Sequence, residues 1–194
     1  MTPTPGRLEQ VINNQVKIFK STDRRGSVAI AISGTDQDEV ATNFIYDSIS
    51  EYEAHQDGVL GDTVRLSGID TRGADCVRTR WALARVIEPT VRTSRPKYIR
   101  RNLITAKPGE LGNLVNVLKE LREVFTTVTP GIAVQLGGNN DTVRTLVVVS
   151  SMEEFEAYSD ELASDKTKTY RDRVAGMIVG QHSVLSRFVH VNQS

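Results

Sequence analysis

Ser48-Ile-Ser-Glu-Tyr-Glu-Ala-His55 and Ser151-Met-Glu-Glu-Phe-Glu-Ala-Tyr158 decide how this chain is read. Each stretch opens on Ser with Glu three positions on, the spacing at which a hydroxyl and a carboxylate satisfy the first free amides of a helix. At the offset of 103 that relates Ser48 to Ser151, residues 34–57 lie over 137–160 without a gap, and nine of the 24 positions are identical: Gly34/Gly137, Asp38/Asp141, Val40/Val143, Thr42/Thr145, Ser48/Ser151, Glu51/Glu154, Glu53/Glu156, Ala54/Ala157 and Asp57/Asp160. Further on, Val77-Arg-Thr-Arg-Trp81 matches Val184-Leu-Ser-Arg-Phe188 at an offset of 107. Internal similarity of this kind marks a duplicated unit. The sequence therefore predicts a first repeat over 1–87, a linker over 88–97 carrying Pro89 and Pro96, and a second repeat over 98–194.

Working outward in the second repeat, residues 98–106 predict a strand. Leu111, Leu114, Val115, Leu118, Leu121, Val124 and Phe125 then recur at helical spacing. Two β-rich runs, 131–136 and 143–149, flank Gly137-Gly-Asn-Asn-Asp141, a composition suited to a hairpin. Phe155, Tyr158 and Leu162 give the helix after Ser151 an apolar face, and a last strand is expected from about 182 to 191. The order is βαββαβ, the split βαβ of a ferredoxin-like unit. In the first repeat the hairpin is 28–32 with 42–47, the helix starts at Ser48 and the last strand is 77–87. Leu8, Val11, Ile12, Gln15, Val16 and Phe19 fit a first helix whose preceding strand is missing; a strand over 15–19 is the rival reading. The expected class is α+β: two ferredoxin-like halves with antiparallel sheets closing into an α/β barrel, the first half truncated at its N-terminus.

Composition agrees with a folded core. The 194 residues are 39% hydrophobic and 25% charged with 14 glycines, ordinary values for a globular chain. Twenty-four basic residues balance 24 acidic ones, so no bulk field favours nucleic acid. The basic stretch 85–101, with Tyr98 as its one aromatic, reads as a solvated linker. The longest apolar run, 28–32, is far short of the roughly 18 residues of a membrane helix. One cysteine, Cys76, makes no internal disulfide, and a reducing cytoplasm is expected. The three histidines, His55, His182 and His190, have no zinc-site spacing, and no metal is expected. The truncated first half leaves a sheet edge open, so a homodimer is expected.

A hairpin running into Ser-Met-Glu-Glu-Phe-Glu-Ala-Tyr158, with charged helix positions and a final strand bearing an aromatic, resembles the dimeric α/β-barrel superfamily, and within it the antibiotic-biosynthesis-monooxygenase-like proteins. The resemblance implies a barrel closed by two ferredoxin-like sheets, a small-molecule substrate and a cofactor-free oxygenase or cyclase acting on an aromatic or polyketide-like compound. The alternative is a non-catalytic ligand-binding or accessory protein on the same scaffold, with haem among the ligands open to it; for the enzyme no cofactor is expected. Haem-degrading relatives combine Asn, Trp and His; here Trp81 has no matching partners. Cofactor-free relatives use Asn, Trp and Tyr near the strand and helix that meet at Ser48 or Ser151. Asn43, Tyr46 and Tyr52 stand there in the first repeat, against Leu146, Val149 and Phe155 in the second.

From the residues themselves, alternation puts Val77, Thr79, Trp81 and Leu83 on one strand face and Arg80 on the other, with Arg187 as its repeat mate. Two guanidiniums facing away from the helices would hold a developing anion, or else make structural ion pairs. His55 replaces Tyr158 one turn beyond Tyr52; it reads as a general base or as a satisfied core histidine. The candidate catalytic residues are thus Arg80, His55 and Tyr52. Trp81, Arg187, Asn43, Tyr46, Tyr158 and Phe188 are the candidates for substrate binding.

Overall fold

The computed structural model describes residues 1–22, 24–35, 38–63, 73–91 and 95–192, which fall into two compact units. The architecture is α+β, as expected, with antiparallel pairing within the hairpins and sheets.

The first unit comprises Met1–Arg80 with Phe188–Ser194. Its elements are β1 (Thr2–Pro3), α1 (Leu8–Ser21), β2 (Gly26–Ser33), β3 (Val40–Phe44), α2 (Ile49–Leu60), β4 (Cys76–Arg78) and the end of β9 (Ile178–Asn192). Val11, Gln15 and Phe19 repeat every fourth residue on one face of α1 and are buried. Val11 and Phe19 share a core with Val28, Val40 and Cys76, which decides for helix over the rival strand. The β2–β3 hairpin runs in register from Gly26↔Phe44 to Ile30↔Val40, and the strand order is β3-β2-β9.

Two expectations for this unit need correction. A strand does precede α1: β1 pairs with β4 through Thr2↔Arg78 and Pro3↔Cys76. The last strand does not run from 77 to 87 but stops at Arg78 and resumes as β5 (Ala84–Glu88). Its partner is the reason. β1 offers two residues, one of them a proline without an N–H, so the ladder runs out and 79–83 leave the strand.

The second unit, Trp81–Arg187, contains β5, β6 (Tyr98–Ala106), α3 (Leu111–Val124), β7 (Gly131–Gln135), β8 (Thr142–Val149), α4 (Met152–Ala163), α5 (Asp165–Met177) and the first part of β9. The strand order is β9-β6-β8-β7-β5. One sheet face, with Ile104, Ala106, Ile132 and Val143, packs on Leu114 and Leu118 of α3. Leu121, Phe125, Val147, Val149 and Tyr158 continue this core. Leu114 is fully buried, and removing a side chain of that size from water is worth about 1.5–3 kcal/mol. The polar helix α5 buries only Thr167, whose Oγ1 donates to the Leu162 carbonyl at 2.6 Å. With so little apolar periodicity it had no signature in the sequence. Helices α2 and α4 begin and end 103 residues apart, at Ile49 and Met152 and at Leu60 and Ala163.

Candidate functional site

Both octapeptides cap a helix as expected, and both do it the same way. Ser48 Oγ accepts from the Glu51 amide at 3.1 Å and Glu51 Oε2 from the Asp47 amide at 2.7 Å. Ser151 Oγ accepts from the Glu154 amide at 3.1 Å, and Glu154 Oε2 from the Ser150 amide at 2.6 Å. What the helices then bury differs. In the second unit Tyr158 is 5% exposed, its ring 5.0 Å from Phe125, and burial pushes its phenol pKa up. It is a core residue. In the first unit α2 buries no residue at all, and a row of half-buried rings occupies the matching place.

Tyr46 follows β3, while Tyr52 and His55 stand one turn apart on α2. The Tyr46 ring meets Tyr52 edge-on at 5.4 Å and stacks on His55 at 5.7 Å. His55 lies 6.4 Å from Phe44, which stacks on Phe19 at 4.7 Å, and Phe19 is 5.9 Å from His190. The Arg24 guanidinium stands 5.9 Å from the centre of the Tyr46 ring, within cation–π range. Desolvation raises the Tyr46 pKa, opposed by Arg24, so the side chain is a neutral phenol at physiological pH. A cleft of about 340 Å³ opens at one end of the row, lined by Phe19, Lys20, Ser21, Thr22, His190 and Asn192. The Asn192 amide ties its wall to Arg24, donating to that residue's carbonyl at 2.8 Å.

The structure thus brings together Tyr46, Tyr52 and His55 and leaves the other candidates elsewhere. Asn43 donates weakly to Ser27 Oγ at 3.4 Å and alternates with Phe44, so it lies on the opposite strand face from the rings. Arg80 is exposed and outside any strand. Trp81 is 69% and Val77 62% exposed, so the packed face expected for 77, 79, 81 and 83 does not form. Arg187 pairs with Tyr98, whose ring joins the core beneath the helices, so it shares the helix-bearing face rather than the opposite one. It too is exposed, and Phe188 is half-buried in the first unit. Sequence reasoning missed Arg24, Phe19 and Phe44. The hairpin register holds the signal: continuing Gly26↔Phe44 outward sets Arg24 opposite Tyr46. Among the described residues no group of three or more His, Cys, Asp or Glu is arranged to hold a metal ion.

Three solved structures can be laid over nearly the whole chain. A candidate monooxygenase from Fusobacterium nucleatum matches with a TM-score of 0.74 at 10% identity, covering 98% of this chain and 89% of that one. The chain shares its fold. An anthrone oxidase-like protein matches at 0.71 and 17% identity, covering 100% and 91%, and a candidate monooxygenase from Lactobacillus acidophilus at 0.69 and 10%, covering 99% and 93%. No family model and no curated protein matches the sequence. No helix among the described residues is long and apolar enough to cross a membrane.

Proposed function

We propose that the chain is an oxygenase-like enzyme of the antibiotic-biosynthesis-monooxygenase type, a tandem of two ferredoxin-like halves acting on an aromatic or polyketide-like small molecule at the seam of β3 and α2. One observation carries this reading. The same capped helix stands over a packed, buried Tyr158 in the second unit and over the half-buried rings of Tyr46, Tyr52 and His55 in the first. A site specialised by duplication keeps one copy for stability and frees the other for ligand. The fold neighbours named as monooxygenases and as anthrone oxidase-like support the reaction class.

The residues suggest the following chemistry for an anthrone, a tricyclic ketone with an acidic methylene. Aromatic faces of Tyr46 and Tyr52 hold the ring system. His55 takes a methylene proton, and the resulting enolate oxygen accepts a hydrogen bond from the Tyr46 phenol under the positive charge of Arg24. Dioxygen adds at the carbanionic carbon to give a hydroperoxide. Loss of water leaves a new carbonyl, so one O2 is consumed and one H2O released for each quinone. No metal or organic cofactor enters this scheme.

The test is oxygen uptake and quinone absorbance with anthrone as substrate. Turnover is expected in the native chain, with His55→Phe and Tyr46→Phe each lowering kcat by about 10²–10⁴-fold. Arg80→Met is expected to leave it unchanged, since that guanidinium lies outside the ring cluster. Equal turnover in native chain and His55→Phe would show that the seam is not the site.

A further inference from the structure

The cleft at the end of the ring row lies wholly within the first unit and has two walls. The last turn and cap of α1 supply Phe19, Lys20, Ser21 and Thr22, and alternate residues of β9 supply His190 and Asn192. Its volume of about 340 Å³ is room for a small organic molecule. Phe19 gives the cleft an aromatic surface that cannot move aside: the side chain is 2% exposed, stacks on Phe44 and meets the His190 ring at 5.9 Å.

The polar groups divide by what they still have to offer. Ser21 and Thr22 spend their hydroxyl protons on the Ile18 carbonyl, at 3.0 and 2.8 Å, and the Asn192 amide donates to the Arg24 carbonyl at 2.8 Å. Lys20 and His190 make no hydrogen bond or ion pair among the described residues, and they stand on different walls, the exposed lysine on the helix and the half-buried histidine on the strand. No Asp or Glu among the described residues lines the space between them. Lys20 sits in the last turn of α1, where the helix end carries roughly half a unit of negative charge. Its ammonium outweighs that partial charge without greatly exceeding it. The balance suits a single negative charge and disfavours a dianion such as a phosphate monoester.

We propose that this cleft binds a small aromatic carboxylate, one oxygen held by the Lys20 ammonium and the other by a ring N–H of His190, with its apolar body against Phe19 and the methylene stem of Lys20. A hydrogen bond from a cation to a carboxylate is roughly twice as strong as a neutral one, so the charge selects the acid over its amide. The aromatic wall and the lysine stem select against a bare inorganic anion. Binding is the property claimed, and it holds whether or not the ring row turns over an anthrone.

Benzoate and its neutral isostere benzamide test this on the full chain. Benzoate is expected to shift the His190 imidazole nitrogens saturably in a long-range 15N–1H spectrum, with the resonances assigned by their loss in His190→Gln. Benzamide and inorganic phosphate are expected to leave them in place. Lys20→Met changes an exposed side chain, so the melting temperature should stay near that of the native chain while benzoate affinity falls about tenfold. Lys20→Arg keeps the charge and should bind benzoate within a few-fold of the native chain. An equal response to benzoate and benzamide overturns the proposal, as does the absence of a saturable shift at His190 or an unchanged affinity in Lys20→Met. The shift is read on the native chain, so the outcome does not depend on a variant folding.

Discussion

Gly26 shows how much of the site rests on one absent side chain. A Cβ there would run into the Asn43 carbonyl oxygen and the Phe19 ring. The first is backbone held in the β2–β3 ladder, and the second is 2% exposed and stacked on Phe44, so neither can yield cheaply. Gly26→Ala should therefore cost about 1–3 kcal/mol, in the range of other overpacked cores. Calorimetry is the check, and an unchanged melting temperature would show that the hairpin can shift. The same substitution disturbs Phe19 and Phe44, which support the ring row, so turnover should fall with stability. At this scale the sequence exposed part of the ring row. Tyr52 and His55 are three apart on a helix, and Tyr46 precedes the cap, so their convergence follows from local spacing. Arg24 was not legible, because its approach to Tyr46 depends on a hairpin register that composition does not fix. The packed strand face expected to include Trp81 is absent for a related reason: alternation was applied to a strand that ends three residues earlier.

The two capped helices share a start and differ in what holds them down. Ser151→Ala removes one cap and should destabilise the fold by about 1 kcal/mol, the rest of α4 being anchored by Tyr158. Ser48→Ala removes the same bond from a helix with no buried residue, so its effect should be local. Amide exchange is expected to show α2 fraying while the global melting temperature barely moves, with turnover reduced because Tyr52 and His55 ride on that helix. Uniform protection across α2 in the variant would argue against this. Helix α4 has a second anchor at Glu161. Its carboxylate accepts from the Thr126 amide at 2.9 Å, the Thr126 hydroxyl at 2.8 Å, the Thr127 amide at 3.0 Å and the Thr127 hydroxyl, with Lys166 at 3.1 Å. Desolvation alone would raise its pKa, but the combined bonds from Thr127, Thr126 and Lys166 hold it well below the ordinary carboxylate range. A carboxyl depressed in the folded state stabilises above its unfolded pKa, about 4.3, and loses that contribution as pH falls toward the folded value. Urea melts of Glu161→Gln should thus fall short of the native chain at pH 7, the gap narrowing progressively in acid. A constant gap from pH 7 to pH 3 would remove the carboxylate from the account.

At the level of the chain, the two matching helix caps were visible because capping is a local code. Where the strand after α2 ends was not, because strand length is set by a partner far away in sequence. Residues 84–88 run on from β4 in sequence yet pair with β7 in the second unit. The C-terminal end of β9 leaves the second unit's β6 and joins the first unit. No composition or period marks either transfer; only the ladder shows it. This gives the C-terminus a specific role that can be tested by deleting residues 188–194. The deletion takes away His190, which faces Phe19, and Asn192, which donates to the Arg24 carbonyl, together with the strand next to β2. Protection of the β2 amides should drop by about 2 kcal/mol, the net worth of a pair of hydrogen bonds, while β6 and β8 keep their mutual ladder from Tyr98↔Val149 to Thr105↔Thr142. Hydrogen exchange followed by mass spectrometry resolves the two regions. Because the cleft loses His190 and Asn192 together, anthrone turnover should fall even where the second unit's strands exchange as in the intact chain. Equal loss of protection in β2 and β8 would instead mean that the terminal strand supports both units alike, and the assignment of its end to the first unit would have to be given up.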